Sequence, residues 1–124
     1  MLPVWKEEFI IRSFDIDCNN QIKISNLGSY FQEIAGHHAD HLGLGFHQIR
    51  HQGLVWVLAR LEISFLSFPK WGDTITIETW PSGNERLYYR REFVVRLHEQ
   101  ETIKASSFWL LINMQTRRPK IIPL

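Results

Sequence analysis

A chain of 124 residues with 44% hydrophobic and 13% aromatic content is long enough for one buried core and too apolar to be disordered. Its formal charge of +1 gives no general attraction to nucleic acid or to an anionic membrane. A single cysteine, Cys18, excludes an internal disulfide and fits a reducing compartment.

The first residues, MLPVWKEEF, lack the apolar centre of a secretory signal, and no stretch approaches the ~18 apolar residues of a membrane span. One cytoplasmic domain over residues 1–124 is therefore expected. Residues 4–14 read as a strand, with Phe9 and Ile11 on one side and Ile10, Arg12 and Phe14 on the other. An acidic, amide-rich loop, DIDCNNQ, follows. Leu27, Tyr30, Phe31, Ile34, Ala35, His38 and Leu42 then recur at helical spacing, which predicts a helix of about 18 residues and ~27 Å. Ser25 is the expected N-cap, and Gly43 with Gly45 the stop. Gly28 stands where a capping box needs Glu or Gln, so the amides of Asn26, Leu27 and Gly28 are expected to remain open at the positive end of the helix, ready to hold an oxyanion.

Residues 47–53 read as a polar connection. In LVWVLARLEISF, Val55, Val57, Ala59, Leu61, Ile63 and Phe65 alternate with more polar neighbours and predict the core face of a long strand. Turns are expected at 69–73 and 81–84, bounding the strand TITIETW; a further strand spans 86–98, and residues 99–101 reverse it into TIKASSFWLLINM. The pattern is α+β: one long helix wrapped by a curved antiparallel five-stranded sheet, a meander whose sequential strands are neighbours. Phe93, Val95, Phe108, Trp109 and Leu111 exceed what one helix covers, which predicts at least a homodimer.

RSFDID, SYFQEIAGHHADHLGLG, LVWVLARLEI, PKWGDTITIETWPSG, SSFWLLIN and TRRP, in this order and spacing, resemble the landmarks of acyl-acyl-carrier-protein thioesterases, and the resemblance covers nearly the whole chain. It implies a hotdog fold and release of a fatty or related acid from acyl carrier protein or CoA, with water as the other substrate and no metal or organic cofactor. Members of that family typically carry two hotdog domains in tandem, and this chain looks like the first of them. Their catalytic motif, Asp-x-Asn-x-His followed by a helix Glu, usually lies in the second domain. Here Asp17 and Asn19 match, Gln21 replaces the His, and Glu33 falls at the matching distance.

Thioester hydrolysis needs a base or nucleophile beside the carbonyl and donors for the developing oxyanion. Asp17 is the candidate base or nucleophile, Asn19 and Gln21 the orienters, and Glu33 a second carboxylate supplied by the other subunit. The same Asp and Asn also suit an ordinary turn. Tyr30, Ile34, His38, Trp56 and Leu58 are the expected acyl-pocket wall; Arg86, Arg90, Arg91, Arg117 and Arg118, with Lys120, the expected rim for an acidic carrier or CoA phosphates. His37 and His41 lie one helical turn apart but lack a third ligand, so no metal is expected. Cys18 sits beside a carboxylate that disfavours its thiolate. Two other readings stay open: a non-catalytic acyl-binding or oligomerisation module, and a 3-hydroxyacyl-thioester dehydratase using His38.

Overall fold

A computed structural model describes residues 4–121. Five antiparallel strands, β1 Trp5–Ile10, β2 Leu54–Phe65, β3 Thr74–Glu85, β4 Tyr88–Leu97 and β5 Gln100–Asn113, form one sheet in the order β1-β3-β4-β5-β2. A long helix, α1 Ile24–His41, and a short one, α2 Phe46–Arg50, lie between β1 and β2 in the chain. This is the expected hotdog arrangement. The stripe Leu27, Phe31, Ile34, Ala35 and His38 is the buried face of α1, and Phe31 stacks on Phe93 of β4 with ring centroids 4.4 Å apart. Ile11, Ile22, Ile75, Ile77, Val95 and Ile103 complete that core, each side chain contributing about 1.5–3 kcal/mol on burial.

Several local expectations are corrected. Lys23, not Ser25, is the N-cap residue, and no side chain caps α1. Ser25 lies inside the first turn, its hydroxyl directed to Asn26 Oδ1 at 3.3 Å. The helix does stop at Leu42 and Gly43, the latter at φ +79°. A Cβ at Gly45 would fall 1.6 Å from Asp40 Oδ1, so a larger residue there would turn the exposed Asp40 side chain away. The polar connection after it coils into α2, because Ile49 buries against Leu54, Tyr89 and Leu111.

The strands are not a single meander. β3, β4 and β5 are successive neighbours, but β2 pairs with β5 and ends the sheet opposite β1. Because α1 crosses the sheet, the strands on either side of it finish at opposite edges. Within β2 a bulge between Leu58 and Arg60 shifts the register against β5, so the inward phase runs through Trp56 and Leu58 before it and through Leu61, Ile63 and Phe65 after it. Val57 and Ala59, expected inward, are exposed. β3 likewise runs through the predicted turn at 81–84. A bulge at Pro81/Gly83, with Gly83 at φ +117°, absorbs the extra residue, and the chain reverses after Glu85.

Phe93, Val95 and Leu111 are fully buried within one chain, and the Arg60 and Arg90 guanidinium groups lie 4.8 and 5.4 Å from the Phe108 ring centre. Apart from the half-buried Trp109, these side chains are covered within one chain, so their number does not by itself call for a second copy.

One buried carboxylate ties the elements together. Asp15 is 2% exposed; its Oδ1 accepts from Asn26 Nδ2 at 2.9 Å, and its Oδ2 from the Arg12 amide at 2.9 Å and from the Tyr30 hydroxyl. Its carbonyl accepts from the Lys23 amide at 2.8 Å. Burial opposes its ionisation, yet the Tyr30, Arg12 and Asn26 hydrogen bonds hold the carboxyl below its usual range, and burial with Asp15 pushes the Tyr30 hydroxyl up to about 12. Tyr30→Phe leaves a buried carboxylate one donor short, so urea unfolding should show a loss of about 1–3 kcal/mol.

Candidate functional site

Two places in the fold bear on function, at opposite ends of α1. The first is the loop from Ile16 to Ile22, pinched by a bridge between those two residues. Asp17 Oδ1 accepts the amides of Asn19 at 2.8 Å and Gln21 at 3.1 Å, and the Asp17 amide donates to the Gln21 carbonyl at 2.9 Å. The carboxylate is thus held rigidly by backbone at one oxygen while the residue is exposed. Asn20 makes the reversal at φ 58° and accepts from the Trp71 amide at 3.3 Å. Asp17, Asn19 and Gln21 are together as expected, although amides rather than the Asn19 and Gln21 side chains meet Asp17.

The expected oxyanion donors are reduced. The Leu27 amide donates to the Lys23 carbonyl at 3.0 Å and Gly28 follows in the helical ladder. Of these three amides only that of Asn26 precedes the ladder, and the Asn26 side chain is held by Asp15. Glu33 lies about 13 Å farther along the axis than Ile24. It is exposed and meets His37 Nε2 at 2.9 Å, while His37 Nδ1 lies 2.7 Å from Glu7 Oε2. This bridge clamps α1 to β1 and occupies both nitrogens of His37. His41 packs at a tilt on Trp5 with centroids 5.0 Å apart.

The second place is a cavity of about 200 Å³ beneath α2. Ala35, Gly36 and Ala39 line it from α1, Leu42 from the residue that ends that helix, Phe46 and Ile49 from α2, and Trp56, Tyr89 and Trp109 from the sheet. Its volume is below the ~300–1,000 Å³ of common ligand sites, which suits a slender occupant. Of the expected wall residues only Trp56 lines it. Tyr30 is bound to Asp15, Ile34 and His38 are sealed in the core, and Leu58 is half-buried elsewhere. A larger recess on the outer sheet face, about 430 Å³, is lined by charged side chains that are mutually paired, including Arg96 with Glu101 and Lys104 with Glu101.

The expected cationic rim divides. Arg86 follows the exposed end of β3, Arg117 and Arg118 follow β5, and all three are exposed. Tyr89 pairs with Trp109, so these segments leave the sheet at the same end, beside the cavity. Arg90 is drawn to Glu92 at 3.2 Å. Arg91 is not on the rim: it points inward and lies 2.9 Å from His38 Nδ1 and 3.2 Å from Thr79 Oγ1. Alternation had signalled this, since Arg91 is in phase with Tyr89, Phe93 and Val95.

Because Arg91 only donates, His38 accepts at Nδ1 and carries its proton at Nε2, which has no partner among the described residues. Burial, then the nearby Arg91 and His41 charges, push His38 down to about 4, and burial lowers Arg91 to about 10. Among the described residues no group of three or more His, Cys, Asp or Glu is placed to hold a metal.

The depressed His38 value fixes a sign. Its contribution is fully present above the unfolded value of 6.5 and is lost as pH falls towards about 4, amounting to up to about 3 kcal/mol. His37, raised mainly by Glu7 against the effect of burial, works oppositely: its clamp is complete below 6.5 and is lost as pH rises through the raised value. Urea midpoints should therefore fall between about pH 6.5 and pH 4, and His38→Gln should flatten that slope.

Comparison with known proteins adds the following. Residues 3–123 match a family model described as the acyl-ACP thioesterase N-terminal domain. The chain is 32% identical over 122 residues to oleoyl-acyl carrier protein thioesterase 1, chloroplastic, of Arabidopsis thaliana, covering 92% of this chain and 34% of that protein. It is 33% identical over 128 residues to the palmitoyl-acyl carrier protein thioesterase of the same plant, covering 97% and 31%. It thus spans about a third of the length of these curated relatives. The structure of an acyl-ACP thioesterase from Bacteroides thetaiotaomicron superposes with a TM-score of 0.90 at 28% identity, over 96% of this chain and 49% of that one. A hypothetical protein from Staphylococcus aureus, solved in complex with CoA, shares the fold at a TM-score of 0.87 and 16% identity, over 98% and 77%.

Proposed function

The chain belongs to the acyl-ACP thioesterase family, as the domain match over residues 3–123 shows, and from that premise we propose that it acts in hydrolysis of an acyl thioester carried on acyl carrier protein or CoA. The observation that carries this reading beyond membership is the small, mostly apolar cavity beneath α2 with exposed arginines at its end of the sheet. A hydrocarbon chain suits the slot, and Arg86, Arg117 and Arg118 suit an acidic carrier or a phosphate.

In the proposed chemistry Asp17 is the base. Two amides fix Oδ1, leaving Oδ2 to take a proton from water as the water oxygen bonds to the carbonyl carbon. Collapse of the tetrahedral intermediate breaks the C–S bond, and the thiol departs with a proton, leaving the acid. The Asn26 amide is the remaining donor for the oxyanion. Asp17 lies in the loop before α1, whereas the cavity is lined by the later turns of that helix, Gln32 lying about 12 Å along the axis from Ile24. A homodimer answers this separation by bringing Asp17 of one subunit to the cavity of the other, whose own Glu33 supplies the second carboxylate. The outer edge of β2, which ends the sheet, supports such pairing. We place the activity in the cytoplasm on the strength of one exposed, unpaired cysteine. No described helix is long and apolar enough to cross a membrane.

The same separation, with Gln21 unable to serve as acid or base, favours a second reading: a domain that holds the acyl chain without hydrolysing it. His38 offers the dehydratase reading no support, being fully buried against Arg91 and Trp5.

Thiol release from acyl-ACP and acyl-CoA panels tests the proposal. Asp17→Asn should lower the rate by about 100-fold or more with binding retained, and Glu33→Gln by a smaller factor. Tight acyl binding with no thiol release by the wild-type chain would select the second reading. Gly36, whose Cβ position meets nothing within 4 Å, lines the slot. Gly36→Leu should shift binding towards shorter chains, read by titration calorimetry across acyl lengths.

A further inference from the structure

Arg91 differs from the other cations of β1 and β4 that lie against the sheet. Arg96 meets Glu78 and Glu101, Lys6 meets Glu78, and Arg90 meets Glu92, whereas Arg91 has no carboxylate partner among the described residues. Its two contacts, His38 Nδ1 at 2.9 Å and Thr79 Oγ1 at 3.2 Å, are neutral acceptors. A guanidinium carries five N–H donors, so two contacts leave donors over. Arg91 is half-buried and none of its nitrogens is a sealed, unpartnered atom, so the spare donors stay open to an incoming anion. Burial lowers Arg91 only to about 10, so the cation persists at neutral pH.

This cation forms part of the cavity wall, whose other lining includes Leu44, Ile49, Trp56 and Trp109. Arg90 also lines the cavity, but its guanidinium is paired with Glu92 at 3.2 Å, so Arg91 is the cation left to select a ligand with a single planar anionic head and a hydrocarbon body. The small volume, about 200 Å³, disfavours a bulky phosphate ester. We infer that the cavity binds an aliphatic carboxylate, with its head on the Arg91 guanidinium and its hydrocarbon tail along the slot beneath α2. Arg91 then gains the counter-ion that the chain itself does not provide. The head has two chemical sources: the free acid that thioester hydrolysis releases, or a carboxyl group at the far end of an acyl chain. The inference stands whether or not the chain turns over thioesters, since it concerns binding alone.

Titration calorimetry on the intact chain with decanoate, decanol and methyl decanoate tests it. The acid should bind about tenfold or more tightly than the alcohol or ester, and Arg91→Met should abolish that preference while leaving decanol affinity in place. Equal affinities on the wild-type chain would overturn the inference without need of any variant, which keeps it testable should Arg91→Met fail to fold. Loss of the preference in Arg90→Gln but not in Arg91→Met would also overturn it, by moving the anion to the rim. A decanoyl pantetheine thioester bearing a terminal carboxylate, compared with the plain decanoyl thioester, separates the two sources. Tighter binding of the first assigns the head to the acyl terminus, and equal binding, with decanoate still preferred over decanol, assigns it to the released acid.

Discussion

The Asp15 carboxylate is the constraint on which the arrangement depends. It joins the end of β1, the loop that follows and the first turns of α1 through Arg12, Asn26 and Tyr30. A buried carboxylate is tolerable only with such a set of donors, so the loop conformation and the entry angle of α1 are determined together. Asp17, two residues on, inherits its position from this anchor. The same contacts explain why Ser25 does not cap the helix: Asp15 sets the Lys23 position from outside the helix.

Much of the fold was legible because its signals are periodic. The α1 stripe needed only helical spacing, and its buried set agrees closely with the pattern from Leu27 to His38. What failed were departures from period. The β2 bulge reversed which side chains face inward, and no composition marks a bulge at Leu58/Arg60. Pro81 and Gly83 signalled a break correctly but not its kind, since a bulge and a turn use the same residues. The placement of β2 beside β5 is a consequence of α1 crossing the sheet, which local pattern does not contain.

The site was legible to a lesser degree. Asp17, Asn19 and Gln21 share a loop as their spacing implies. The cavity wall was largely missed, because apolar side chains on α1 divide between core and slot according to α2, and α2 rests on one apolar anchor, Ile49. Arg91 was read by charge as a surface group, while its phase along β4 pointed inward. Charge and phase conflict most where a buried polar group is retained, and such conflicts mark places where local rules yield to other demands.

The pairing of β2 with β5 has a consequence for how the chain matures. Leu54 meets Asn113 and Phe65 meets Ile103, so β2 has no partner until the final strand is in place. During synthesis β1, α1 and β2 emerge well before β5, and the sheet closes only once residues up to Asn113 have left the ribosome. Until then a twelve-residue apolar strand has both edges open, which makes the nascent chain a natural client for chaperones.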